Sequence, residues 1–181
     1  MESSALPDLL QRVLPEARVG VTQSSDLHPT VSIDRRDVGA VMPVLRDHAE
    51  LACAVLAELT AVDFWPREPR FEIVYLLLSV QHRLRLRVKV PVPGDDPHVP
   101  TVSPVWPAAI WLEREVWDLF GIGFDNHPDL RRLLMPDDWQ GHPLRKDYPV
   151  QVRMAARTSE PLQVSEQEFR ANLERDRRAR R

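Results

Sequence analysis

The chain has 181 residues, 43% of them hydrophobic and 28% charged, with a formal net charge of -3, the make-up of one globular domain with room for a packed core. No run of about 18 uncharged apolar residues is present, which excludes a membrane-spanning helix; the single cysteine, Cys53, excludes an internal disulfide and any zinc or iron–sulfur site built from several cysteines of this chain. The lone cysteine makes a reducing, cytoplasmic compartment the expectation. The last eleven residues set five arginines against Glu174 and Asp176 and leave the rest of the chain acidic, so the body does not read as a nucleic-acid binder.

Leu6 to Ala17 is expected as a short helix, because Leu6, Leu9, Leu10, Val13 and Leu14 recur at helical spacing and Pro7 suits a first turn. Arg18 to Thr22 and Thr30 to Asp34 read as two strands joined by a polar loop around Ser24, Ser25 and Asp26. Val38, Val41, Met42 and Leu45 predict a second helix, in which Pro43 either lies near the start or makes a kink. Between Ala52 and Phe64, Val55, Ala57, Leu59 and Ala61 alternate with Leu56, Glu58, Thr60 and Val62, which favours a strand over the latter part. Arg70 to Val80 carries a long apolar run suited to a buried strand. From Arg83 to Val92, Leu84, Leu86, Val88 and Val90 face one way, and Arg83, Arg85, Arg87 and Lys89 the other. Only Gln81 and His82 separate these runs, which predicts a hairpin. The basic stripe reads as a water-facing surface, with contact to an acidic partner as the alternative.

After Pro91, Pro93, Pro97 and Pro100 the chain leaves the sheet. Pro107 suits the first turn of a helix running to Phe120, with Leu112, Val116, Leu119 and Phe120 as its apolar stripe and Gly121 ending it. From Gly121 to Pro149 little regular structure is expected beyond a turn or two near Pro128 to Leu134. A loop so long is usually functional, and its apolar residues argue that it packs along a surface. Ser165 and Glu168 form a capping box that marks a further helix start. Little beyond Phe169 and Leu173 is apolar there, so Val152 to Arg181 is expected to extend from the domain and to be ordered by docking.

No serine lies in a G-x-S-x-G setting, and the glycine-rich nucleotide fingerprints are absent. Cys53, within ELACAVLAEL, reads as a buried, inert thiol. His127 and His142 lie near Asp129, Asp137 and Asp138 and could form a metal site. Neither is spaced i, i+4 from another ligand on a helix, so loop histidines bonded to backbone carbonyls are the favoured reading. The helix ending at Phe120 carries Glu113, Arg114, Glu115 and Asp118. Arg114 and Asp118 are i, i+4 partners. Glu115 and Asp118 put two carboxylates on one face, either as a general acid/base pair or, the favoured reading, as anchors for Arg131, Arg132 or Arg145.

The stretch EREVWDLFGIGFDNHPDLRRLL, Glu113 to Leu134, resembles the signature of the thirty-kilodalton subunit family of respiratory complex I, which in bacteria is the C subunit of the proton-pumping NADH–quinone oxidoreductase. Glu113, Arg114, Glu115, Asp118, Leu119, Phe120, His127, Arg131, Leu133 and Leu134 fill every specified place of that pattern. The continuation MPDDWQGHPLRKDYP, with His142, Arg145 and Lys146, is similar to the family, as are VSPVWPAAIW before it and LTAVDF at Leu59 to Phe64. The resemblance implies an α+β fold: a two-layer domain over residues 1–150, with a mixed, largely antiparallel sheet packed on helices. The domain ends in the long extended loop, and a tail over 151–181 with a short basic helix comes after it. It implies a peripheral position on the cytoplasmic face of the bacterial membrane, within the hydrophilic arm, and no catalytic, cofactor or metal residues in this chain. FMN and iron–sulfur clusters would belong to partner subunits. The partners would be a separate homologue of the forty-nine-kilodalton (D) subunit, since the chain stops at Arg181, and cluster-bearing subunits of the arm, with no nucleic acid. The chain would be an enzyme only as part of the translocase. Glu113, Arg114, Glu115, Asp118, His127, Arg131, Leu133, Leu134, His142, Arg145 and Lys146 are then expected as assembly elements. The alternatives are the equivalent subunit of a membrane-bound hydrogenase or F420H2 dehydrogenase, or an RNA-binding module using the basic tail.

Overall fold

Strict alternation builds the centre of the sheet. Strands β4 (Phe71–Ser79) and β5 (Leu84–Val92) pair antiparallel along their full length. Phe71, Ile73, Tyr75 and Leu77 from one, and Leu86, Val88, Val90 and Val92 from the other, form a single buried face. The computed structural model describes residues 19–22 and 28–149 together with Leu9, Arg12, Val13 and Pro15. Leu9, Arg12 and Val13 are helical, and the rest of the expected 6–17 helix lies outside the described residues. So do the polar loop at Ser24 to Asp26 and the expected tail with its capping box. The hairpin turn is wider than the expected pair of residues. It takes in Val80 to Arg83, because Arg83 adopts a left-handed φ of 50° and His82 turns in to place Nε2 2.7 Å from the Ala49 carbonyl.

Strand β3 (Val55–Asp63) lies antiparallel on the other side of β4. Its alternation is broken: Leu56 faces Leu77 but Glu58 faces Leu76, so Ala57 is a bulge. Leu56, rather than the expected Val55, therefore shares the buried face with Leu59 and Ala61, and Val55 is exposed. Strand β2 (Thr30–Ile33) runs parallel to β5, and β1 (Val19–Thr22) antiparallel to β2, giving the order β1-β2-β5-β4-β3. The sheet is mixed and largely antiparallel, as expected.

Two helices cover the buried face. Asp34 caps a 3-10 turn, Arg35–Asp37, by accepting the Arg36 N–H at 2.9 Å. Helix α1 (Val38–Asp47) follows and buries Val38, Val41, Met42 and Leu45. Pro43 lies inside it, so the Gly39 carbonyl loses its helical donor; Gly39 and Ala40 are exposed, which leaves that carbonyl to water. Helix α2 (Ala109–Phe120) packs on β3 and ends at Gly121, at a φ of 72°. Before and after α2, β6 (His98–Pro100) and β7 (Gly123–Asp125) pair in parallel. Neither short strand was expected, since three residues carry no readable period.

The opposite face of the sheet carries no helix among the described residues. The basic stripe lies there: Arg85 is exposed, and Lys89 meets Glu72 of β4 at 2.9 Å. Cys53 is fully buried, and burial pushes its thiol up to about 11, away from the reactive range. No described helix is long and apolar enough to cross a membrane.

Candidate functional site: a charged helix that holds the long loop

Helix α2 buries charge as well as apolar side chains. Glu113 and Asp118 are completely buried, and Arg114 is 5% exposed. Such groups need partners, and the chain beyond β7 supplies them. Asp118 accepts the N–H groups of Leu133, Leu134 and Met135 on Oδ2, at 2.8–3.0 Å, and Arg132 on Oδ1 at 2.7 Å. Burial alone would raise this carboxyl; the bonds from Met135, Arg132, Leu134 and Leu133 outweigh it and hold the group below the ordinary range. Arg114 does not pair with Asp118, its i, i+4 neighbour. It donates to the carbonyls of Arg131 and Arg132 at 3.1 and 2.9 Å and lies over the Trp111 ring. Donor and acceptor side chains on successive turns thus grip one backbone segment.

The end of the helix is closed by the same loop. Gly121 N–H bonds the Trp117 carbonyl, His142 Nδ1 donates to the Asp118 carbonyl at 3.0 Å, and Leu144 N–H donates to the Leu119 carbonyl at 3.0 Å. Three carbonyls that a helix leaves open are satisfied, two of them by residues more than twenty positions away. The His142 ring lies against Gly121, where a Cβ would come within 2.5 Å of it. Gly121→Ala is therefore expected to cost about 1–2 kcal/mol for the left-handed backbone alone, and more for the displaced ring. Thermal unfolding of Gly121→Ala in the wild-type and in the His142→Ala background separates the two parts: once the ring and its bond to the Asp118 carbonyl are absent from both members of the pair, only the backbone cost of Gly121→Ala remains.

Farther along, the loop reaches the far end of the sheet. Asp63, the last residue of β3, accepts Arg70 on both oxygens, at 3.1 and 2.9 Å, and also the N–H groups of Trp65 and Lys146. Arg70 in turn makes two bonds to Asp147, at 2.9 and 2.7 Å. Burial would raise the Asp63 carboxyl, but Arg70, Lys146 and Trp65 bring it down to about 2. The two aspartates hold the Arg70 guanidinium well above its usual value, Asp147 most strongly. Arg145 lies over the Phe71 ring, 5.3 Å from its centroid. The Trp139 and Tyr148 rings stack, with Tyr148 packed where Gly141, at a φ of 81°, has no side chain.

The eleven signature residues thus part company. Asp118 holds a loop arginine, Arg132, as expected of one carboxylate of the pair; Glu115 does not, and is exposed. Arg145 goes to Phe71 rather than to either carboxylate. Arg131 points to water and pairs with Asp129 at 2.9 Å. Leu133 is half-buried and Leu134 is exposed. Lys146 contributes its backbone N–H to Asp63. His127 and His142 bond the Ile110 and Asp118 carbonyls, the favoured reading of both histidines. Asp63, Arg70 and Asp147 were missed as a site. The only signal was a carboxylate and an arginine bounding apolar strands.

This charged helix and its loop fall inside a match to the family described as respiratory-chain NADH dehydrogenase, 30 Kd subunit, which spans residues 31–153. The chain belongs to that family. The C subunit of the NADH-quinone oxidoreductase of Geobacter metallireducens is 53% identical over 123 residues, covering 67% of this chain and 75% of the relative. A solved trypsin-resistant fragment (1-134) of Nqo5 shares the fold with a TM-score of 0.58 and 36% identity, over 67% of this chain and 98% of that one. A relative named as the C/D subunit of an NADH-quinone oxidoreductase, from Methylococcus capsulatus, is 40% identical over 173 residues; these are 92% of this chain and 29% of the relative. The thirty-kilodalton subunit is thus a component of the quinone-linked NADH dehydrogenase of electron transport, with the α+β fold expected from its signature.

Proposed function

We propose that this chain is the structural thirty-kilodalton (C) subunit in the peripheral arm of a proton-translocating NADH–quinone oxidoreductase. It docks on a homologue of the forty-nine-kilodalton (D) subunit near the quinone chamber, on the cytoplasmic face of the membrane. The observation that supports this is the direction of the charges: Asp118, Arg114 and Arg132 are consumed in holding the loop from within, while Trp111, Glu115, Leu134 and Leu144 are left outward on the helix and loop so ordered. A large exposed apolar group on a rigid loop suits an assembly surface. In this reading FMN and iron–sulfur clusters in partner subunits carry electrons from NADH to quinone, and the chain alone has no turnover. The tail over 151–181 docks on a neighbouring subunit.

Co-expression with a forty-nine-kilodalton homologue tests the proposal. Leu134→Asp changes an exposed residue and is expected to move the stability of the isolated chain by no more than about 0.5 kcal/mol, yet to reduce recovery of that homologue in a pull-down at least tenfold. Glu115→Ala should act in the same direction, more weakly. Unchanged recovery with both variants overturns the docking surface. Recovery of a nickel-bearing protein instead of flavin and iron–sulfur subunits places the chain in a hydrogenase-type complex. Stoichiometric flavin or iron on the isolated chain overturns the non-catalytic reading.

A further inference from the structure

Glu113, the first signature residue, differs from the other buried carboxylates: among the described residues, no cation reaches it. Arg114, its neighbour on α2, turns away to the carbonyls of Arg131 and Arg132. Two titratable side chains face it from other elements. From β4, Tyr75 presents a buried hydroxyl that has no hydrogen-bond partner among the described residues. From the segment after β7, His127 places Nε2 3.8 Å from Glu113 Oε2. Both nitrogens of that ring are already engaged: Nδ1 accepts the Asp129 N–H at 3.0 Å, so Nε2 carries the hydrogen and gives it to the Ile110 carbonyl at 3.1 Å. Neither nitrogen of His127 is left to bond Glu113.

What Glu113 does have is a file of hydrogen-bonding groups leading outward. Oε1 accepts the Val102 N–H at 2.7 Å, and Oε2 meets the Thr101 hydroxyl. Thr101 Oγ1 accepts the Ser103 N–H at 3.1 Å and lies 2.9 Å from Ser103 Oγ, and Ser103 is half-buried, at the edge of solvent. We propose that Glu113 is a proton-binding site of the folded chain: it holds its proton as a neutral carboxylic acid against Thr101 and exchanges it with water through Thr101 and Ser103. In the protonated state every oxygen of the file has one task. Glu113 Oε2–H donates to Thr101 Oγ1, Thr101 donates to Ser103 Oγ, and the Ser103 hydrogen goes to water. On release, one proton passes to water at Ser103, the two hydroxyls turn round, and Thr101 donates to the carboxylate that remains.

Burial drives this carboxyl up, against the opposing bonds from Thr101 and Val102, to about 7. The folded chain therefore binds a proton that the unfolded chain has already lost. Its stabilising effect is complete below the unfolded value of 4.5 and fades as pH rises through about 7. Asp63, Asp118 and Asp147 are shifted the other way, so their contribution is present above the unfolded value and is lost only in acid, outside this range.

The test is infrared spectroscopy of the full chain carrying 13C-labelled glutamate, recorded from about pH 5 to pH 8.5. The expected result is a protonated-carboxyl band that vanishes through neutrality and is absent from Glu113→Gln. In Thr101→Val the midpoint of the band should move upward, because the hydroxyl favours the ionised form; this arm stands even if the glutamine variant folds poorly. Denaturant unfolding over the same range should show the wild-type equilibrium shifting toward the unfolded chain by about 75-fold relative to Glu113→Gln, the part of the gap between 4.5 and about 7 that this range spans. A wild-type chain that shows carboxylate absorption only, with no band distinguishing it from Glu113→Gln at any pH, overturns the proposal.

Discussion

Asp118→Ala is expected to destabilise the chain by about 3–5 kcal/mol, because it leaves Arg132 without its buried partner and strips three N–H groups of their common acceptor. Urea unfolding measures the loss, and limited trypsin digestion shows where it falls. Cleavage after Arg131 and Arg132 should accelerate before the sheet itself opens. Asp118→Asn is expected to lie between. Its remaining oxygen can still accept from the backbone, but its amide donates and cannot accept from Arg132. An unchanged urea midpoint in Asp118→Ala would mean that the loop is held by something other than these four bonds.

Asp63→Ala should cost a similar amount, about 3–5 kcal/mol, for the same kind of reason at the other end of the loop. It leaves Arg70 paired to Asp147 alone, and Asp147 is 43% exposed where Asp63 is 2% exposed. Acid has a related and smaller effect. The folded Asp63 carboxyl is depressed from 3.8 to about 2, so its contribution is present above the unfolded value and is lost as pH falls through about 2. That gap corresponds to roughly 2 kcal/mol. Unfolding free energies measured down the acid limb should therefore fall less steeply in Asp63→Asn than in the wild type. Because Asp63, Arg70 and Asp147 share one guanidinium, Arg70→Ala combined with Asp63→Ala should cost less than the two single changes added.

The strands and helices with a clean period were legible in the sequence, and those with a local irregularity were not. The arginine–leucine alternation from Leu84 to Val92 and the Gly121 stop describe β5 and α2 as they stand. Ala57 illustrates the opposite case: one bulged residue moves Val55 from the buried to the exposed side, and nothing in an alanine announces a bulge. The site divides along another line. Asp118 was recognisable as an anchor because acidic residues on a helix followed by loop arginines suggest pairing. Its main partners are nevertheless backbone N–H groups, which have no sequence identity to read. Glu115, alike in letter and in spacing, faces water; which side of α2 is buried depends on β3, more than fifty residues earlier. The Asp63–Arg70–Asp147 cluster joins positions 77 residues apart, a distance that local pattern cannot bridge.

Asp118 and Arg114 hold Arg131 to Met135 almost entirely through main-chain atoms. The path of that segment is consequently indifferent to what its side chains are, provided Arg132 remains. Leu134 could be lengthened, charged or made aromatic while its Cα stayed where Asp118 puts it. Shape and surface chemistry are thus separately adjustable: lineages could retune affinity for a changing neighbour without refolding the segment, and an engineer could graft a new recognition sequence onto the same mount.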